Sequence, residues 1–293
     1  MNKKIIKKIL PKKLWRIIKL AKTIPARIAL KKSLVKAPYL PAEQIQKLLG
    51  TFPEVAKYEY DDAACQQRGQ TRANFLAQLL PQSKQIKILE LGCSDAMTSV
   101  ALKGQGLDAV ALDLVDQRLE VAKKYDIPFI QAPAENIPLE YKSIDFIFSY
   151  NALEHFLDPT KVLLEIHRIL KPGGLFYADF DPLYFSPRGL HAYRKINIPY
   201  LQVLFKSQDL EQYAKNHQLN WSELPYVNAY PITKFRAIFA ELKDKFQVKS
   251  YEEILDISGL AVIKTYPACF KKENLTFDNF IISGIKILLQ KKS

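Results

Sequence analysis

The spacing of apolar residues changes twice along this chain. Residues 1–36 place Ile6, Leu10, Leu14, Ile17, Ile18, Ala21 and Ile24 at helical intervals, the pattern of a helix with one apolar face. Pro11 and Pro25 interrupt that run and are expected to kink or divide it. Pro38 and Pro41 read as a linker, and residues 42–50 and 66–80 read as helices. From residue 86 short apolar runs take over: "IKILEL" at 86–91, "LDAVALDL" at 107–114, "IPFIQ" at 127–131, "IDFIFSY" at 144–150 and "GLFYADF" at 174–180. Helical stretches fit between them at 95–103, 116–125 and 159–170. Such alternation predicts an α/β fold with a parallel sheet and right-handed crossovers. The rhythm fails over 182–247, a stretch rich in Tyr, Phe and Pro that is too long for an ordinary loop. It reads as a helical lid over the sheet edge where ligands bind. A helix at 250–257, a strand at 260–266 and a last strand near 279–290 are expected to close the sheet. The organisation predicted is an arm and linker at 1–41 and one domain at 42–293 carrying the lid.

Charge changes the picture at one end only. Residues 1–36 hold 13 Lys and Arg and no acid; the first acid is Glu43. The rest of the chain holds 30 basic and 30 acidic residues, so the net charge of +13 resides in the arm. An apolar face beside a lysine face suits a helix lying in a membrane interface. Each Lys or Arg near an anionic surface contributes about 1 kcal/mol. A solvated basic tail, or a helix docked on the body, explains the same residues without lipid. RNA contact and a transit peptide are further readings. The Lys-heavy composition disfavours the transit peptide, and no unbroken apolar stretch follows the charges as in a secretory signal. A neutral body disfavours nucleic acid, which needs a basic groove.

Cys65, Cys93 and Cys269 form no CxxC pair, which fits a reducing compartment and argues against a disulfide framework or zinc ribbon. The four histidines lie far apart and predict no metal site. No run of about 18 apolar residues exists, so no transmembrane helix is expected. The expected location is cytoplasmic, with the arm at the inner face of the membrane.

The stretch "ILELGCSDAM", residues 88–97, is a strand that runs into a turn and then a helix. A dinucleotide fingerprint requires G-x-G-x-x-G; the three positions here are Gly92, Ser94 and Met97, a poor match. "GCSDA" is a nucleophile elbow with its last glycine replaced, which makes Ser94 a candidate nucleophile, but no downstream histidine is marked as its partner. The third reading is a cofactor without a pyrophosphate. It needs a close backbone turn and an acid at the end of the next strand for the ribose hydroxyls. Asp113 stands 21 residues after Gly92 and ends "LDAVALD".

"ILELGCSDAM", "VALD", "APAENIPLEYKSIDFIFSYNALEHFLDP" and "EIHRILKPGG" follow in an order and spacing that resembles class I S-adenosylmethionine-dependent methyltransferases, most closely the bacterial methyltransferase type 11 group. The resemblance covers about residues 86–181. It implies a Rossmann-like seven-stranded sheet with helices on both faces, and S-adenosylmethionine as cofactor. It further implies that Glu90 and Gly92 border the methionine end, with the turn at Cys93, Ser94 and Asp95. Asp113 would take the ribose hydroxyls and Leu114 would pack on adenine. Ala134 and Glu135 would meet the adenine edge, although Pro133 stands where family members commonly carry an acid. Asn151 would face the methyl-donor pocket. Plainer readings remain beside these: Gly92 as a tight turn, Asp113 as a helix cap, Glu135 as a solvated acid, and "LKPGG" as a helix stop.

Methyl transfer asks mainly for positioning and the exclusion of water. A hydroxyl acceptor also benefits from a general base. His155, just past the fourth strand, is the first candidate, His191 in the lid the second, and Asp181 at the end of the fifth strand the third. An "NPPY"-type motif is absent and "SYNA" stands in its place, which points to oxygen or carbon as the acceptor. Tyr184, Tyr193, Tyr200, Arg188, Arg194 and Lys195 suit a sugar or anionic ring, or else fill the lid's own core. The expected acceptor is a small molecule, a glycan or a lipid-linked compound. The alternatives are a non-catalytic methyltransferase-fold binding protein and an RNA methyltransferase that uses the basic arm.

Overall fold

The computed structural model describes residues 11–34, 39–55, 59–80 and 86–293. Ile6 and Leu10 of the arm, its lysines at positions 3, 4, 7 and 8, and Pro38 of the linker lie outside them.

Seven strands form one sheet: β1 (Ile88–Leu91), β2 (Ala109–Asp113), β3 (Phe129–Gln131), β4 (Ile144–Tyr150), β5 (Leu170–Phe180), β6 (Phe246–Leu255) and β7 (Ile282–Lys291). Their order is β3-β2-β1-β4-β5-β7-β6. The first five are parallel, and β7 runs antiparallel to β5. β1 is buried along its whole length, and β4 keeps Ile144, Phe146, Ile147, Phe148 and Ser149 inside. Near-continuous burial is what a parallel sheet covered on both faces asks of its strands. β1 pairs with β2 on one side and β4 on the other. The chain therefore winds one way from β1 and the other way from β4. The carboxyl ends of these two strands flank the switch point at which open α/β sheets bind ligands.

By its contacts the chain divides into two units: Met1–Val55, Pro182–Thr233 and Glu253–Gly284 make one, and Ala56–Asp181, Lys234–Glu252 and Ile285–Ser293 the other. In the latter, one core cluster joins Leu76, Ile88, Leu102, Phe146 and Phe148, and a second joins Cys93, Met97, Val100, Ala111 and Ile127. The helices Asp62–Leu76 and Met97–Gly104 pack together. They meet at Gly69, where an added Cβ would stand 2.3 Å from the Met97 carbonyl oxygen.

The former unit has an aromatic centre. Tyr200 and Phe280 each meet Phe270 edge-to-face at about 5 Å, and the Tyr200 hydroxyl donates to the Phe280 carbonyl (2.7 Å). Gly259 passes so close that a Cβ would collide with the Tyr200 ring. Among its described residues the arm forms the helices Lys12–Ala21 and Ile24–Lys32. Pro11 precedes the first and Pro25 lies in the first turn of the second, where a missing N–H is tolerated. The break between these helices falls just before Pro25, whereas the residues that precede Pro11 lie outside those described. Arg16 pairs with Glu253 (3.4 Å), Lys19 donates to the Leu255 carbonyl (2.8 Å) and Arg27 pairs with Asp278 (3.4 Å).

Two elements exchange their expected types. Residues 250–257, read as helical, lie largely in β6, and 260–266, read as a strand, are mostly the helix Leu260–Thr265. β6 is an edge strand whose middle residues are exposed, so its charges obscured the pattern of two. "LAVIKT" is a short apolar run with no period to tell strand from helix, and it buries only Val262 and Ile263. The expected helix 116–125 shrinks to Glu120–Lys124, because the Asp116 carboxylate holds the Arg118 backbone and side chain in a turn. The segment from 182 contains the helices Leu201–Leu204, Ser207–Asn216 and Ile232–Glu241, as its helical reading required. No described helix is long and apolar enough to cross a membrane, and no metal-binding cluster of His, Cys, Asp or Glu occurs among the described residues.

Candidate functional site

The turn after β1 is built by backbone bonds. The Gly92 and Cys93 amides both donate to the Leu112 carbonyl (2.9 and 3.1 Å), which ties the turn to the end of β2. Gly92 has φ +71°, and an added Cβ would lie 2.5 Å from the Ala152 Cβ. Glycine is therefore required twice here, for the left-handed backbone and for the close pass of the loop after β4. Ser94 (φ 47°) and Ala96 (φ 57°) are left-handed too, although neither is a glycine. Such a conformation costs an L-residue roughly 1 kcal/mol or more.

Side chains at three strand ends complete the turn. Asp113 accepts the Ser94 amide at one carboxylate oxygen (2.9 Å) and the Leu114 amide at the other (2.7 Å). These bonds fix its orientation at the end of β2. Leu114, next to it, is 62% exposed despite being apolar. Asp95 accepts the Met97 amide (2.9 Å) and faces Arg68 (3.5 Å), so it starts the following helix. Cys93 is buried, and its thiol is pushed far up by burial and by the charges of Glu90 and Asp113, which makes it inert. Ala134 is buried, whereas Glu135 accepts the Asp158 amide (3.4 Å) and tethers the start of the helix Pro159–Ile169.

Glu90 lies inside β1 and is buried. One carboxylate oxygen accepts both the Ser99 amide (3.1 Å) and the Ser99 hydroxyl (2.6 Å). Burial raises its pKa to about 7, against the lowering effect of Ser99. Arg72, on the helix Asp62–Leu76, lies close enough to favour the ionised form of Glu90. The same guanidinium stacks over Tyr150 at the end of β4 (4.3 Å).

The loop after β4 begins at Asn151, left-handed at φ 50°, whose amide donates to the Asp179 carbonyl (2.9 Å). Glu154 follows, fully buried, and neither carboxyl oxygen has a hydrogen-bond partner. His155 Nε2 stands 3.9 Å from one of them. Burial, then the charges of Asp181 and Asp179, hold Glu154 well above the usual carboxylate range. Such surroundings favour the protonated acid over the carboxylate. Asp179 itself pairs with Lys286 (2.5 Å).

The structure thus brings Glu90, Gly92, Cys93, Ser94, Asp95, Asp113 and Leu114 to the ends of β1 and β2, and Asn151 and His155 to the loop after β4. Asp181 lies just past β5 in the same unit. His191 belongs to the other unit, where a ring nitrogen meets the Pro182 carbonyl (3.1 Å). His167 packs edge-on against Phe246, and His217 stacks on Tyr213. Sequence reasoning missed Arg72, which has no motif to announce it, and gave no role to Glu154, although "LEHF" was singled out. A lone glutamate in an apolar run was the available signal.

A family model described as a methyltransferase domain matches residues 89–178. A ubiquinone biosynthesis O-methyltransferase of Saccharophagus degradans is 26% identical over 186 residues, 56% of this chain and 75% of that one. A demethylmenaquinone methyltransferase of Clavibacter sepedonicus is 31% identical over 129 residues, 41% of this chain and 53% of that one. The crystal structure of an S-adenosylmethionine-dependent methyltransferase from Mesorhizobium loti superposes with a TM-score of 0.46 at 18% identity, covering 74% of this chain and 96% of that one.

Proposed function

Since the chain belongs to the class I S-adenosylmethionine-dependent methyltransferases, we propose that it methylates an oxygen of a small-molecule, glycan or lipid-linked acceptor. The observation that carries the cofactor half is the donor set around the turn. A zwitterionic tail needs a cation and an anion side by side, and Arg72 and Glu90 supply them. A ribose diol needs an oriented carboxylate, and two backbone amides orient Asp113. An adenine face needs an exposed apolar side chain, and Leu114 offers one beside that carboxylate. These residues fit S-adenosylmethionine, with Ala134 and Glu135 at the base edge and Asn151 toward the methyl group. Ser94 and Ala96 keep the left-handed turn that glycines would make, which favours a working site over a degenerate one.

The bound cofactor supplies an electrophilic methyl group, so the chain's task is to aim a nucleophile and exclude water. His155 Nε2 takes the proton of the acceptor hydroxyl, beside Glu154, whose burial favours its uncharged form. Asp181 is the second candidate for the same proton. The likeness to ubiquinone biosynthesis O-methyltransferases supports oxygen as the acceptor atom. The reading places the protein in the cytoplasm, with its arm at the inner face of the membrane.

Calorimetric titration of S-adenosylmethionine and S-adenosylhomocysteine into the full chain tests it. The expected result is micromolar binding that Asp113→Ala weakens at least about a hundredfold, because two oriented charge-assisted bonds are lost. No binding at high protein concentration would overturn the cofactor site.

A further inference from the structure

The arm has two apolar faces. One is turned inward: Thr23 and Ala26 are buried, and Leu30 packs on the cluster around Tyr200 and Phe270. The helix Ile24–Lys32 lies against the helix Leu260–Thr265 of the same unit. The other face is exposed and carries Leu14, Ile17, Ala21, Ile24 and Ile28. Their spacing alternates three and four residues, so on each helix they line one outward stripe. Ile17 is 60% exposed and Ile24 53%. The bonds from Arg16, Lys19 and Arg27 to Glu253, Leu255 and Asp278 fix how the helices are rotated. The stripe therefore does not roll inward to be covered by the unit's own core.

Lys13, Lys22, Lys31 and Lys32 are exposed on the same two helices, and no acid occurs in residues 1–36. A stripe of isoleucines flanked by lysines matches one kind of surface well. At a bilayer of anionic lipid the apolar side chains enter the boundary between headgroups and acyl chains, while the ammonium groups remain among the phosphates. An RNA backbone would satisfy the lysines and leave the isoleucines in water.

We propose that the face formed by Leu14, Ile17, Ala21, Ile24 and Ile28, with Lys13, Lys22, Lys31 and Lys32 beside it, lies in the plane of an anionic phospholipid bilayer. The proposal goes beyond methyl transfer and stands or falls without it.

Sedimentation of the full chain with phosphatidylcholine vesicles containing about one-third phosphatidylglycerol tests it. The chain is expected to sediment at low salt, to be released by high salt, and to ignore pure phosphatidylcholine. Ile17→Asn with Ile28→Asn is expected to weaken binding about tenfold or more at unchanged charge, since two interfacial side chains lose their apolar contact. Lys13→Gln with Lys22→Gln is expected to flatten the salt dependence. Circular dichroism and cofactor titration on each variant confirm that it is folded. Full-length protein that stays in solution with anionic vesicles at low salt overturns the proposal. Asparagine variants that bind as tightly as the parent overturn it as well, because charge alone would then carry the contact. Release of vesicles by a structured RNA at low salt, with the asparagine variants binding that RNA normally, assigns the arm to nucleic acid instead.

Discussion

Two loops leave neighbouring strands of the sheet, and each has a buried glutamate beside it. After β1, Glu90 receives two hydrogen bonds from Ser99 and has Arg72 nearby, and its pKa settles at about 7. After β4, Glu154 receives none, faces the charges of Asp179 and Asp181, and is held well above the usual carboxylate range. The burial is equal; the dipoles around the two acids are not. A carboxyl group that the protein has half-solvated is close to ionising, and the arrival of a cation completes the step. A buried carboxyl group that no side chain stabilises favours its protonated form and fills space beside His155.

Substitutions at three positions break or sharpen that contrast. The largest effect is expected at Glu154. Glu154→Ala removes a fully buried side chain and should lower stability by about 3 kcal/mol in urea unfolding, mainly through the cavity it leaves. Glu154→Gln keeps the shape of the neutral acid and should stay within about 1 kcal/mol of the parent. If glutamine costs as much as alanine, Glu154 is not neutral in the folded protein.

Glu90→Gln is next, and its effect depends on pH. The folded pKa of about 7 lies above the ordinary 4.5, so the native chain holds more protons than the unfolded one between these values. Its stability therefore falls as pH rises through that window, by up to about 3 kcal/mol, and the loss is complete above it. Glu90→Gln abolishes the loss. The ligand-free variant should be more stable than the parent at pH 8 and nearly equal to it at pH 4.5, while it binds S-adenosylmethionine about tenfold or more weakly. A pH-independent difference in melting temperature would contradict the assignment.

Ser94→Gly should give the smallest change. Glycine reaches φ 47° without the Cβ penalty, and the gain is offset by its extra freedom when unfolded. The expected stabilisation is at most about 1 kcal/mol by thermal melting, with cofactor affinity unchanged. A large loss would mean that the serine hydroxyl itself serves the site.

The sheet was legible where burial and strand length agree. β4 occupies the residues expected of it, because seven nearly continuous apolar positions leave one solution. β6 and the helix after it were not legible, because an exposed edge strand has no apolar period and a short apolar run has two readings. The candidate site shows the same divide. The turn at Gly92 and the strand end at Asp113 were readable from spacing along one chain segment. Arg72 was not, because its neighbours Glu90 and Tyr150 reach it only after the helix Asp62–Leu76 has packed. Asp95 and Glu135 were read as cofactor contacts, and each also serves the backbone of a helix start, a use that leaves no separate mark in sequence.

The contact between Gly92 and Ala152 ties the two loops of this comparison into one mechanical part. With no room for a methyl group between them, neither backbone shifts alone. A ligand that settles the turn at Ser94 is then expected to settle the loop that carries Glu154 and His155, two and three residues beyond the contact. On the proposed reading, the half of the site that would receive the methyl group is in this way informed of whether the half that would donate it is filled.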